Sequence, residues 1–134
     1  NKAADAVALF DVIQTLDRKK IIDACAAAEE SLNRRLKYFI QVNSGEEEQK
    51  SGVSPHKLEE LYRYGKDKLD ITGLMVIPPV DEAPGLHFGL LEKLAAKYNL
   101  PCLSMGMSGD YETALRFGAT HVRIGSAFFG ARKT

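Results

Sequence analysis

The run SMGMSGDYETALRFGATHVRIGSAFFGAR, Ser104 to Arg132, decides the fold. It reads as two consecutive strand-turn-helix units. In each, a short apolar strand (Leu103 to Met107, then Val122 to Gly125) runs into Gly and Ser, and a helical pattern follows at once. Backbone N–H groups at such helix starts lack intrahelical partners, and with the helix dipole they favour an anion. Two such cups closing a βα series are what a (β/α)8 barrel uses to hold a phosphate after its last two strands. Strand alternation then places Arg123. If Val122 and Ile124 face the surrounding helices, His121, Arg123 and Gly125 face the barrel interior.

Upstream the same alternation repeats. Lys2 to Phe10 is helix-like, and Asp11 to Leu16 is a strand ending at Asp17. From Arg18 to Leu32 the positions Ile21, Ile22, Cys25, Ala28 and Leu32 recur every three or four residues, the stripe of an amphipathic helix. Leu36 to Val42 is nearly continuous apolar, as a strand buried on both faces should be. After the loop Ser44 to Val53, Ser54-Pro55 supplies an N-cap and a first-turn proline, and Leu58, Leu61 and Tyr62 form the next buried stripe. Ile71 to Ile77 is the third strand, stopped by Pro78-Pro79, and its helix is Leu86 to Tyr98, with the apolar line Leu90, Leu94 and Tyr98 at i, i+4 and i+8. Cys102 to Met107 and His121 to Gly125 complete five strands, and the last helix begins at Ser126. The series predicts a parallel sheet, part of a (β/α)8 TIM barrel, within one domain spanning 1–134.

Composition narrows the function. With 45% hydrophobic and 27% charged residues the chain is an ordinary soluble globular one. Lys plus Arg equals Asp plus Glu at 18 each, so no net field draws in nucleic acid or an anionic membrane surface. No apolar run reaches the roughly 20 residues of a membrane helix, and no signal segment opens the chain, which predicts a cytoplasmic protein. Cys25 and Cys102 belong to no CxxC pair and read as buried and reduced. The start at Asn1-Lys2-Ala3, without Met, points to a product cropped from something longer.

In a sheet of this type ligands bind outside the carboxyl ends of the strands. Those ends are Asp17, Asn43 to Lys50, Pro78 to Glu82, Met107-Ser108 and Gly125-Ser126, which should share one rim. Gly125 and Ser126 offer two N–H groups and a hydroxyl to an anion, and Ser108, beside Gly109, offers the same from the preceding unit. Arg123 below them is a donor that stays charged; the alternative is an interior Arg paired with a neighbouring carboxylate. Lys50, among Glu46, Glu47 and Glu48, is either a solvated lysine or an amine that meets an aldehyde or phosphate. His56, His87 and His121 fall on different elements and suggest no metal site, and no nucleophile elbow or P-loop is present.

The C-terminal run, with QVNSGEEEQKSGV, ITGLMVIPP and DVIQTLDRKK in the same order, resembles the pyridoxal-phosphate homeostasis protein family along essentially the whole chain. The resemblance implies a barrel like the N-terminal domain of alanine racemase, standing alone, and binding of pyridoxal 5′-phosphate (PLP) for its supply, with no established turnover and hence no catalytic residues. It implies that Ser108, Gly125 and Ser126 hold the cofactor phosphate, Met107 belongs to the cofactor site, Arg123 faces the pyridine nitrogen, and Lys50 has a secondary role in passing PLP on. Where Ser126 stands the family often has Thr, which keeps the hydroxyl. The family's Schiff-base lysine belongs to the first barrel strand and is not in this sequence, so 1–134 is expected to be the C-terminal portion of the barrel. PLP-dependent apo-enzymes are the expected receivers, and a monomer the expected state. Three other classes stay open: a PLP-dependent racemase or decarboxylase of the same barrel type, a phosphosugar enzyme using the same cup, and an interaction module with a vestigial site.

Overall fold

The computed structural model describes residues 2–123, over which helices and strands alternate. Helix α1 (Lys2–Leu9) precedes β1 (Val12–Leu16), α2 (Lys19–Leu32) and β2 (Lys37–Val42). A 3-10 turn (Pro55–Lys57) leads into α3 (Leu58–Gly65), followed by β3 (Asp70–Val76) and α4 (Pro84–Lys97). Then come β4 (Cys102–Met107), α5 (Tyr111–Arg116) and β5 (His121–Arg123). The strands form one parallel sheet in the order β1-β2-β3-β4-β5. Chain order and sheet order coincide, so every crossover steps the same way, and the sheet is the wall of a partial (β/α)8 barrel.

Alternation along the strands sorts side chains into two layers. Tyr38, Ile40 and Val42 of β2 and Leu74 and Val76 of β3 join Ile22, Cys25, Leu58, Phe88 and Leu91 in the core between sheet and helices. Phe39 has the opposite parity and packs edge-on against His121, ring centroids 5.0 Å apart, on the inner face. The chain turns are set locally. Asn33 ends α2 in the left-handed conformation, φ 53°, its N–H reaching the carbonyls of Glu29 and Glu30. Arg34 donates to the carbonyls of Val7 and Ala8 at 2.7 and 2.8 Å, closing the C-terminus of α1.

One polar cluster lies inside this outer layer. Glu29 is 5% exposed, and its Oε2 accepts hydrogen bonds from Leu36 N at 2.8 Å and the Tyr38 hydroxyl at 3.0 Å. Burial, then the Glu29 hydrogen bond and charge, push the Tyr38 phenol well above its ordinary range. Burial, and secondarily Glu29, also raise the Cys25 thiol, which is free and inert-looking; Cys102 is free as well but only half-buried, against the expectation of a buried residue.

Three helix readings need correction. Ser54 occupies the cap position before Pro55, but its hydroxyl makes no cap bond and lies 3.5 Å from His56 Nε2 instead. Leu32, the last apolar residue of α2, is exposed. The inner face of α4 is His87, Phe88, Leu91 and Ala95, whereas Leu90, Leu94 and Tyr98 are only half-buried. Ile77 falls just outside β3 and is exposed at the rim.

Gly106 shapes the end of β4. Its φ is +104°, and a Cβ there would come within 2.7 Å of the Ala114 Cβ on α5. Gly106→Ala is expected to destabilise the protein by about 1–3 kcal/mol through strain and overpacking, read by denaturant unfolding. An unchanged midpoint would show that α5 can shift freely.

Candidate functional site

Among the described residues the carboxyl ends of the parallel strands share one rim, built from loop to loop. After β1, Asp17 Oδ2 accepts the Gly52 N–H at 2.9 Å. Gly52 has φ +112°, and any Cβ would meet Asn43 N at 2.7 Å, so only glycine lets the loop close here. The loop after β2 is thus an Ω-like excursion whose ends pair: Asn43 N donates to Val53 O and Val53 N to Gln41 O. Asn43 braces it from within, its side chain donating to Glu47 O at 2.7 Å and accepting from Glu47 N at 3.2 Å.

Lys50 is exposed on this loop and lines a recess of about 210 Å³ with Gln41, Asn43, Gly45, Glu47 and Pro79 among others. Among the described residues its amine makes no ion pair. The neighbouring glutamates hold no cation cluster either: no group of three or more metal-binding side chains occurs among the described residues. Glu46 instead lies 3.3 Å from His56, and Glu82 2.9 Å from His87.

Arg123 and Met107 are register partners on β5 and β4. Both border a shallow recess with Met75, Ile77 and Ser104, and Ile77 also borders the Lys50 recess. Val122 points the other way, its Cγ1 lying where a Gly106 Cβ would meet it, toward α5. The parity read from the sequence therefore holds for His121, Val122 and Arg123. Arg123 is exposed and, among the described residues, has no carboxylate within 4.0 Å, which removes the paired-interior alternative for those residues.

Ser108 follows Met107 in a tight turn. Asp110 Oδ1 takes the Met107 N–H at 2.7 Å, and Asp110 N donates back to Met107 O at 3.1 Å. The N–H groups of Ser108 and Gly109 have no partner among the described residues. Ser108 lines a polar surface recess with Thr113 and Arg116. Gly125 and Ser126 lie outside the described residues. The sequence reading missed His87, whose ring joins Ser44 and Glu82 at the rim. A polar residue inside the apolar face of a helix was its only signal.

A parallel βα wall whose carboxyl rim carries an arginine without an ion pair and turn N–H groups without partners, among the described residues, is the architecture of part of a (β/α)8 barrel. Residues 1–133 match the alanine racemase N-terminal domain, and the chain belongs to that family. It is 40% identical over 144 residues to the pyridoxal phosphate homeostasis protein of Aquifex aeolicus, covering 99% of this chain and 63% of that protein. The human protein of the same name is 34% identical over 149 residues, covering 98% and 54%. The chain thus spans between about half and just under two thirds of the length of these relatives. PipY of Synechococcus elongatus, solved without PLP, superposes with TM-score 0.84 at 31% identity, covering 97% of this chain and 66% of PipY. The PipY structure with PLP bound superposes at 0.79 with 30% identity.

Proposed function

We propose that this chain is the C-terminal portion of a single PLP-binding barrel that acts in intracellular PLP homeostasis as a carrier or regulator. The observation that carries the reading is the likeness to a PLP-bound PipY across nearly the whole chain. Geometry here supports it. The Ser108 hydroxyl and the open N–H groups of Ser108 and Gly109 suit a phosphate, and Arg123 stands at the adjacent strand end with its charge uncommitted among the described residues. Gly125 and Ser126 would complete the cup.

When bound, PLP supplies an electron sink, and a guanidinium facing its ring nitrogen disfavours ring protonation and weakens that sink. Arg123 in this role favours holding over turnover. Lys50, at the neighbouring recess, would meet the cofactor as it arrives or leaves. We place the protein in the cytoplasm as a monomer that hands PLP to apo-enzymes; among the described residues no helix is long and apolar enough to cross a membrane.

The test is thermal and denaturant unfolding of the protein with PLP, with sugar phosphates as competitors and a racemisation assay alongside. PLP at a hundredfold its Kd should add about 2.7 kcal/mol of stability. Stabilisation by sugar phosphates in preference to PLP would place the chain among phosphosugar enzymes. Racemisation well above that of free PLP would make it an enzyme, and no ligand effect at all would leave an interaction module.

A further inference from the structure

Two rim loops meet on one side chain. His87, in the first turns of α4, is 6% exposed and carries no apolar role that Leu or Phe could not fill. Its Nδ1 lies 2.6 Å from Ser44 Oγ in the loop after β2. Its Nε2 lies 2.9 Å from Glu82 Oε1 in the loop after β3. The contact is reinforced beside it, where Gly45 sits so close to Pro79 that a Cβ would come to 2.6 Å from the proline Cγ. Ser44 and Gly45 belong to the same loop as Lys50, and Gly45 and Pro79 both line the Lys50 recess.

A serine, a histidine and a carboxylate in line is also the order of a hydrolytic relay. The surroundings oppose that use. Two of the amides that follow Ser44 are already committed: Glu46 N donates to Asn43 O, and Glu47 N to Asn43 Oδ1. Gly45 is pressed against Pro79, so no acyl group has room on that side. What the line does instead is join two loops that otherwise share no hydrogen bond among the described residues.

We propose that His87 is a positioning residue: through Ser44 and Glu82 it ties the β2 and β3 rim loops together and thereby sets the Lys50 recess for its ligand. The role rests on the PLP reading of that recess; the tie itself rests on geometry alone. A ring with a bond at each nitrogen fixes both loops at once. Cutting either bond should loosen both loops.

The experiment follows amide hydrogen exchange in the protein and, on the same samples, borohydride trapping of added PLP mapped to Lys50 and to exposed Lys66 as reference. Wild type is compared with Glu82→Gln, His87→Gln and His87→Leu. His87→Leu should speed exchange across 44–52 and 78–83 by about tenfold, the loss of one or two net hydrogen bonds, with β2 and β3 unchanged. The Lys50-to-Lys66 trapping ratio should fall by a similar factor, about tenfold, and His87→Gln should recover part of both. Glu82→Gln should speed exchange in 44–52, a loop Glu82 does not touch. Exchange that responds in one loop only, or in neither, overturns the tie. Faster exchange with an unchanged trapping ratio overturns the positioning role. A wild type that traps PLP no faster at Lys50 than at Lys66, while both loops respond, supports the tie and overturns the PLP reading of the recess.

Discussion

Glu29→Ala is expected to lower the unfolding free energy by about 3–5 kcal/mol, the cost of breaking a buried charged cluster at one member. The substitution removes the acceptor for Leu36 N and for the Tyr38 hydroxyl at one stroke. Both donors are buried, so each loses its acceptor inside the fold. Arg35, 4.0 Å from Glu29 Oε1 and largely exposed, contributes little to the difference. Glu29→Gln keeps one oxygen for the two donors and should cost about 1–2 kcal/mol, closer to a single weakened hydrogen bond. A Glu29→Ala protein within about 1 kcal/mol of wild type would mean that the cluster is dispensable.

The same cluster gives stability a pH dependence at its alkaline end. The Tyr38 phenol is raised in the folded protein above its unfolded value, so below about pH 10 the proton is held in both states and the contribution of this group is full. Above that pH the unfolded chain loses its proton first, and stability falls by up to about 1.4 kcal/mol per pH unit. Tyr38→Phe should flatten this slope while costing a constant amount at neutral pH. Comparing the unfolding midpoints of the two proteins between pH 9 and 11 checks the sign.

Much of this fold was legible because its signals are local. The nearly continuous apolar run in β2 and the Gly-containing turns that follow the last two apolar strands in the sequence mark a buried parallel sheet without help from the rest of the chain. Parity in β5 followed from period two alone, which is why Val122 and Arg123 could be sent to opposite faces. The face of α4 was not legible in this way. Leu86, Leu90 and Leu94 make as regular a line as Phe88, Leu91 and Ala95, and only the sheet chooses between them. The line it chose includes His87, whose partner Ser44 is 43 residues away. Glu29 hid for the same reason: a glutamate on a helix reads as solvated until Tyr38 arrives from the next strand. Local periodicity finds apolar burial, and misses buried polar groups whose satisfaction is tertiary.

Arg123→Leu is expected to weaken PLP binding by about tenfold to a hundredfold, the value of one charge-assisted hydrogen bond, with little change in the unliganded unfolding midpoint. The two halves of that expectation have separate grounds. Arg123 is exposed, lies on the last described strand and has no ion pair among the described residues, so its removal breaks nothing in the folded protein there. Arg123 is the register partner of Met107 and borders the same recess, and the proposed PLP site has its guanidinium face the ring nitrogen. Arg123→Lys keeps the charge but not the planar fork, and should fall between wild type and Arg123→Leu. Titrating each variant with PLP by absorbance, and melting each without ligand, separates the two effects. Equal affinity in all three would remove Arg123 from the site, and a variant that fails to fold would show that the guanidinium holds the barrel wall instead.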